Sequence, residues 1–299
     1  GDNNEYNNNI GVKRYNLRSN IDFDVTKTTT VKVDFSGQYL QNNYPGVGTA
    51  TIFKQMCLIP PHIMPAIYSD GTLAGKPGSD GNLNGDGGNP YNSLMNSGYT
   101  KEWRTYIQSK VELNQKLDFI TKGLSFRGLI SFDADMSYIA KRSKTPSQYH
   151  AKGRDENGNL IFDEINQGSD VLSESLSSSS DKKIYFETSL NYNRTFDSKH
   201  DVGAMLLYMQ KETQYHNNAL AYRKQGVVGR LTYGYDGRYF LEGNFGYTGS
   251  ETFAKGHRFG FFPAVGLAWY LSNEHFYPEA MKDVVSKLKL RVSVGRTGN

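Results

Sequence analysis

Apolar and polar residues alternate along much of this chain, most clearly over residues 225–269. Val227, Gly229, Leu231, Tyr233 and Tyr235 share one parity before the turn Tyr235-Asp236-Gly237-Arg238. Tyr239, Leu241, Gly243, Phe245 and Tyr247 share one after it, with Arg230, Thr232, Glu242 and Asn244 among the intervening positions. Period-two runs on both sides of an Asp-Gly pair predict a β-hairpin. The apolar parity carries four tyrosines and little Val or Ile. That suits a surface at a polar boundary better than the dry centre of a sandwich.

Four more hairpins follow from the same pattern. In the first, Tyr15, Leu17, Ile21 and Phe23 alternate with polar residues, and after a turn over 24–29 so do Val31, Val33, Phe35 and Tyr39. In the second, Ile107, Val111 and Leu113 lead through a turn over 118–123 to Phe126, Ile130, Phe132, Met136 and Tyr138. The third runs from Ile184, Phe186, Leu190 and Tyr192 through Asp197-Ser198 to Ala204 and Tyr208; its AMLLYM stretch is apolar on both parities and reads equally as a buried helix turn. The fifth joins residues 259–269 to Leu288, Leu290, Val292 and Val294, with Pro278-Glu279 placed as a short helix start.

Five short links thus alternate with long polar ones, and all the short links fall at one end. Residues 42–100 hold most of the prolines and no strand pattern. Residues 140–182 hold a small hairpin at Asp155-Glu156-Asn157-Gly158 and the serine tract 173–180. Sandwich strands usually run about 5–6 residues, whereas these exceed the roughly 9–11 that a tilted strand needs to cross a bilayer. The prediction is an all-β chain of ten strands, part of a transmembrane antiparallel up-and-down β-barrel with long extracellular loops and short periplasmic turns.

Composition agrees. Hydrophobic residues make up 37% and mean hydropathy is -0.61, and no apolar run approaches the roughly 18 residues of a membrane helix. The net charge of +4 comes from well-mixed charges, with no basic stripe to follow a phosphate backbone, so nucleic acid is not an expected partner. Cys57 is the single cysteine and excludes an internal disulfide. The chain starts at Gly1-Asp2 and ends just after a strand pattern, and is expected to be a fragment.

Several stretches resemble the SusC/RagA type of TonB-dependent outer-membrane transporter. They are Gly229-Arg230-Leu231-Thr232-Tyr233, Tyr239-Phe240-Leu241-Glu242, Gly249-Ser250-Glu251-Thr252-Phe253, residues 256–264 (GHRFGFFPA) and the tail 288–299 (LKLRVSVGRTGN). Residues 15–20 and Asn89-Pro90 look alike too, whereas Thr248 stands where such proteins often carry Asp. The resemblance implies a 22-stranded barrel closed by an N-terminal plug, of which residues 1–299 supply a partial barrel domain without plug, TonB box or C-terminal strands. It also implies a place in the outer membrane, a SusD-like surface lipoprotein as lid, energy from the TonB complex, and oligosaccharides or peptides as cargo.

No catalytic constellation emerges, and no enzyme is expected. The six histidines lack ligand spacing, and no nucleophile elbow, phosphate loop or dinucleotide fingerprint occurs. Asp133 and Asp135 share a strand face but read as part of a hydrated lumen with Arg127 and Lys110. The segment from Asp80 to Asn84 begins like a calcium loop, yet its twelfth position is Tyr91 rather than Glu. Asp155, Asn157 and Asn159 repeat the spacing. Plain Asn/Gly turns are preferred at both, calcium being the alternative, and no cofactor is expected. Tyr44, Tyr68 and Tyr91 in the first long loop are the candidate cargo contacts, since aromatic faces stack on sugar rings. Tyr99 and Trp103 beside them read equally as an interface belt. The rival for the whole chain is a soluble secreted β-rich glycan-binding module.

Overall fold

A computed structural model describes residues 10–79, 81–83, 85 and 87–298. Ten strands form one antiparallel sheet in the order β1-β2-β3-β4-β7-β8-β9-β10-β11-β12, while β5 and β6 pair separately. The strands are β1 Gly11–Thr26, β2 Thr29–Pro45, β3 Gly98–Lys116, β4 Leu124–Thr145, β5 Gln148–Arg154, β6 Leu160–Asn166, β7 Ser169–Phe196, β8 His200–Gln214, β9 Tyr222–Tyr235, β10 Tyr239–Ser250, β11 Phe259–Tyr270 and β12 Lys289–Gly295. Apart from the β4-to-β7 step, where the small hairpin intervenes, sequence neighbours are sheet neighbours, as the up-and-down reading required. The described residues fall into two compact units: those within 10–16, 38–105 and 136–179 form one, and those within 17–37, 106–135 and 180–298 the other.

In the second unit the apolar parity is bare. Leu206, Leu231, Leu241, Val265, Leu267 and Val292 all stand exposed on one face. A water-soluble sheet would cover such a face, because contiguous apolar patches of this size are rare on soluble monomers. The register shows where the face begins and ends. Phe196, His200, Tyr235, Tyr239, Trp269 and Leu290 lie opposite one another in a single row across six strands. Leu190, Leu206, Gly229, Phe245 and Pro263 form a row further on, and Phe186, Gln210, Gln225, Gly249 and Phe259 another. Beyond that the face turns charged, where Arg223 meets Glu212 at 2.8 Å and Glu251 at 3.8 Å. His200 to Gln210 is ten residues of strand. At about 3.4 Å per residue and a tilt near 40°, this spans roughly 26 Å, the height of the apolar band of an outer-membrane barrel.

The turns at the aromatic end are as tight as the sequence suggested. Asp236 and Gly237 both have positive φ, 51° and 65°, the two left-handed residues of a type I′ hairpin turn, which is why Gly stands second. Asp197 and Ser198 adopt the same geometry at 48° and 54°. At Gly229 the Phe245 ring lies across the neighbouring backbone, only 2.1 Å from where a Cβ would be. The ring thereby covers a strand position that offers nothing to pack against.

Two expectations change, at the serine tract and the fifth link, and two open readings are filled in. Residues 42–100, which show no strand pattern, carry helices α1 Thr49–Leu58 and α2 Pro90–Met95. The serine tract is not loop but the first part of β7, a 28-residue strand; serine and valine tolerate the extended backbone when a neighbour supplies the ladder. AMLLYM is strand, since pairing with both β7 and β9 outweighs its lack of alternation. The fifth link is not short: residues 271–288 hold a 3-10 turn, Leu271–Asn273, and helix α3, Glu279–Lys282, which starts after Pro278 as expected.

Candidate functional site

In the first unit, among the described residues, most buried hydrophobic side chains form two small clusters, Val47 with Ile52 and Leu83, and Ile59 with Met64 and Ala74. So few residues cannot order a loop of this length by burial alone. Four buried amides complete it by binding loop carbonyls. Asn89, wholly buried, donates to the carbonyls of Ala66 (2.8 Å) and Ala74 (2.9 Å) and accepts the Tyr91 amide at 3.0 Å, so it also caps α2. Gln55 on α1 donates to Leu83 (2.7 Å) and Gly85 (2.8 Å). Asn92 donates to Ala74, and Gln148 on β5 to Gly81 at 2.8 Å. A side-chain amide inside a loop does what a neighbouring strand does in a sheet, satisfying backbone groups that water no longer reaches.

The three candidate aromatics take different places. Tyr68 packs against the Ile59 cluster, its ring 5.2 Å from Phe162, and its hydroxyl accepts the Ala151 amide at 3.0 Å. It joins the long loop to the small hairpin. Tyr44 is half-buried at the end of β2, and Tyr91 stands exposed on α2. None of the three lines the principal cavity of this unit. That cavity, of 450 Å³, is bordered by hydroxyls and amides such as Ser97, Ser143, Asn166 and Gln167, by the cation Lys144 and by the apolar Val47 and Leu83. Tyr99 accepts from Arg142 at 3.2 Å and Trp103 packs on Tyr138 at 5.6 Å, which fits the belt alternative.

Asp155 heads the hairpin turn. Its carboxylate accepts from the Asn159 side chain (3.0 Å) and from the amides of Asn159 (2.8 Å) and Asn157 (2.9 Å). The Asn159 bonds above all hold its pKa below the ordinary aspartate value. The turn uses these oxygens itself. Asp80 and Asn84 lie outside the described residues.

The opposite parity of the second unit is polar and cross-linked. Arg127 on β4 binds Glu112 of β3 at 2.9 Å and also Glu187 of β7, which in turn accepts from Tyr185. Lys110 pairs with Asp34 at 2.6 Å, Lys183 with Asp133 at 3.5 Å and Arg230 with Glu242 at 3.0 Å. Arg127, Lys110 and Asp133 therefore share a polar, ion-paired face, as expected of a lumen wall, with Asp133 held by Lys183. Each carboxylate here is neutralised by a cation across the strands, which suits a wetted wall and not proton transfer to a substrate.

The aromatic end has its own cluster, which the sequence marked only through Tyr235 and Tyr239. Tyr239 stacks between Tyr235 (6.5 Å) and Trp269 (6.3 Å), and His200 meets the Tyr233 hydroxyl at 2.7 Å. From the 271–288 link, Glu274 accepts from the Trp269 indole (2.8 Å) and from Arg238 (3.2 Å). Hydrogen bonds from Tyr239, then Trp269, then Arg238 hold the Glu274 pKa low. Indole and phenol rings with one wet edge are the side chains expected at a membrane–water boundary.

Comparison with known proteins bears on this geometry. TonB-dependent receptor P3 of Formosa agariphila is 24% identical over 97% of the chain, and receptor P39 of the same organism 22% identical over 97%. TonB-dependent receptor SusC of Bacteroides thetaiotaomicron is 39% identical over a 70-residue stretch. The RagAB peptide transporter superposes on 98% of the chain with a TM-score of 0.67 at 16% identity. Over nearly its whole length the chain is similar to TonB-dependent receptors and shares the fold of the RagAB chain. No family model matches it. It spans about a third of the length of these relatives, 30% of receptor P3 and 33% of the RagAB chain, and its ten-stranded sheet has the fold of part of such a barrel.

Proposed function

We propose that this chain forms barrel wall and surface loop of an outer-membrane, TonB-dependent importer of oligosaccharides or peptides, working beneath a SusD-like lipoprotein lid. The apolar band carries this reading: an exposed face roughly 26 Å high from the aromatic row to the Gln210 row, with a charged row two residues further on. The bilayer is the solvent for that face, the ion-paired face lines a wet passage, and the amide-stitched loop stands on the cell-surface side. The plug and TonB box belong to the remainder of the protein, and movement of the plug under TonB tension opens the path without covalent chemistry. Tyr44 and Tyr91 remain the loop aromatics proposed to meet cargo. The relatives' names support the transport reading, TonB-dependent receptors on one side and a peptide transporter on the other.

Fractionation of the full-length protein tests this. Recovery with outer membranes and extraction only by detergent is expected. Recovery as a detergent-free soluble monomer would sink the proposal and favour a secreted glycan-binding module.

A further inference from the structure

A recess of 380 Å³ lies wholly within the second unit, where the apolar band gives way to charge. Gly249 creates it. This residue stands opposite Gln225 and Phe259 on the apolar parity and carries no side chain. The Phe259 ring leans over the gap, 2.6 Å from where a Cβ would be, and stacks on Tyr247 with centroids 5.1 Å apart. What is left is a hollow walled by Phe186 of β7 and Phe259 of β11, with Gln210 and Gln225 between them. Tyr208, Val227 and Tyr247 form the next row and lead from it toward the middle of the band.

The rim is charged, and its charges balance. Arg223 sets Nε on Glu212 at 2.8 Å and Nη1 on Glu251 at 3.8 Å. Among the described residues its Nη2 has no partner. Arg258 gives its Nε to the Phe253 carbonyl at 3.3 Å and, among the described residues, meets no carboxylate. Two cations and two carboxylates thus border one opening. Lys211 and Lys224, which also border it, belong to the opposite parity. The side chains of Arg223 and Glu251 are 58% and 43% exposed, so both stay open to a ligand. Exposed ion pairs of this sort are weak enough to be exchanged for contacts to a bound group.

We propose that this recess holds one zwitterionic phospholipid, with its phosphate on Arg223 and Arg258, its primary ammonium on Glu212 and Glu251, and the start of an acyl chain between Phe186 and Phe259. The inference rests on the membrane-wall reading of the apolar face and goes beyond it, from lipid as solvent to one lipid as ligand. Charge decides the headgroup. A phosphate alone would lie against two carboxylates, and an ammonium alone against two guanidinium groups, whereas phosphoethanolamine offers each sign its opposite. Position decides the tail. The hollow opens on the apolar parity and is continuous with the band, so an amphiphile covers both phenylalanine rings, which a free phosphate ester would leave bare.

The test is native mass spectrometry of the full-length protein, stripped of lipid in detergent and then offered phosphatidylethanolamine, phosphatidylglycerol or lipid A, singly and in equal mixtures. Retention of one phosphatidylethanolamine, at least about fivefold in preference to phosphatidylglycerol, is expected. Gln225→Trp fills the hollow without touching a charge, and should lower that retention about tenfold. Glu212→Gln combined with Glu251→Gln removes the ammonium sites and is expected to erase or reverse the preference. A merely structural role for the two carboxylates would instead weaken both lipids alike. Should either variant fail to insert, the preference of the wild-type protein still decides. Equal retention of the three lipids, a preference for phosphatidylglycerol or lipid A, or no retained lipid overturns the inference while leaving the wall in its membrane. A detergent-free soluble full-length protein would remove the membrane reading itself.

Discussion

The loop unit and the strand wall reach order by opposite routes. The loop buries a few aliphatic side chains and then stitches its backbone with Gln55, Asn89, Asn92 and Gln148. The wall buries hardly any, since its apolar residues face outward and its ladders satisfy the backbone. What stabilises the loop is polar and inside, whereas the wall carries its apolar surface outside and needs a bilayer to cover it. The same kind of substitution should therefore have different consequences in the two.

The largest contrast is expected at Leu206, exposed at 52% near the middle of the band. On a water-facing surface Leu206→Lys would cost almost nothing. Facing the bilayer midplane it costs about 2–4 kcal/mol, read by urea titration of the full-length protein folding into lipid vesicles. An unchanged midpoint would place that face in water.

Asn89→Ala comes next. It strips donors from two loop carbonyls and leaves the Tyr91 amide uncapped, at about 2–3 kcal/mol. The damage should stay local: limited proteolysis is expected to cut within residues 42–97 while the barrel keeps its resistance to heat in detergent. Global unfolding would erase the distinction between the regions.

A smaller effect, about 1 kcal/mol, is expected for Trp269→Phe, which removes the indole donor to Glu274 but keeps the ring. Hydrogen exchange should speed up in residues 271–288 and stay unchanged in β8.

The smallest effect concerns Asp155. Its folded pKa lies below 3.8, chiefly through Asn159, so the turn's extra stability is complete above that value and fades as pH falls through the lower folded one. Amide protection at Asn157 and Asn159 should survive at pH 3.8 and disappear only in stronger acid. Loss above pH 4 would contradict the geometry.

The wall was legible in the sequence because period two, turn chemistry and strand length all act locally: Asp236-Gly237 named its own hairpin, and Tyr239 its own face. The loop was less so. Nothing in the residue types of Gln55 or Gln148 says which carbonyls they meet, because those partners lie 28 and 67 positions away. Asn89-Pro90 alone carried a local signal, an N-cap before a first-turn proline. The serine tract misled because composition suggested loop while its strand state came from β4. Tyr68 was singled out for its ring, and its packing against Phe162 depended on a hairpin more than eighty residues distant.

The spacing of the aromatic row and the Gln210 row also makes the sheet a thickness gauge. Ten residues of strand match roughly 26 Å of hydrocarbon. In a membrane of about 33 Å the same rows would fall some 7 Å short, and the lipid would have to thin or the strands tilt less to close the gap. Hydrophobic matching alone would thus hold this wall to a thin membrane and disfavour a thick one, a form of sorting written into the distance between His200 and Gln210.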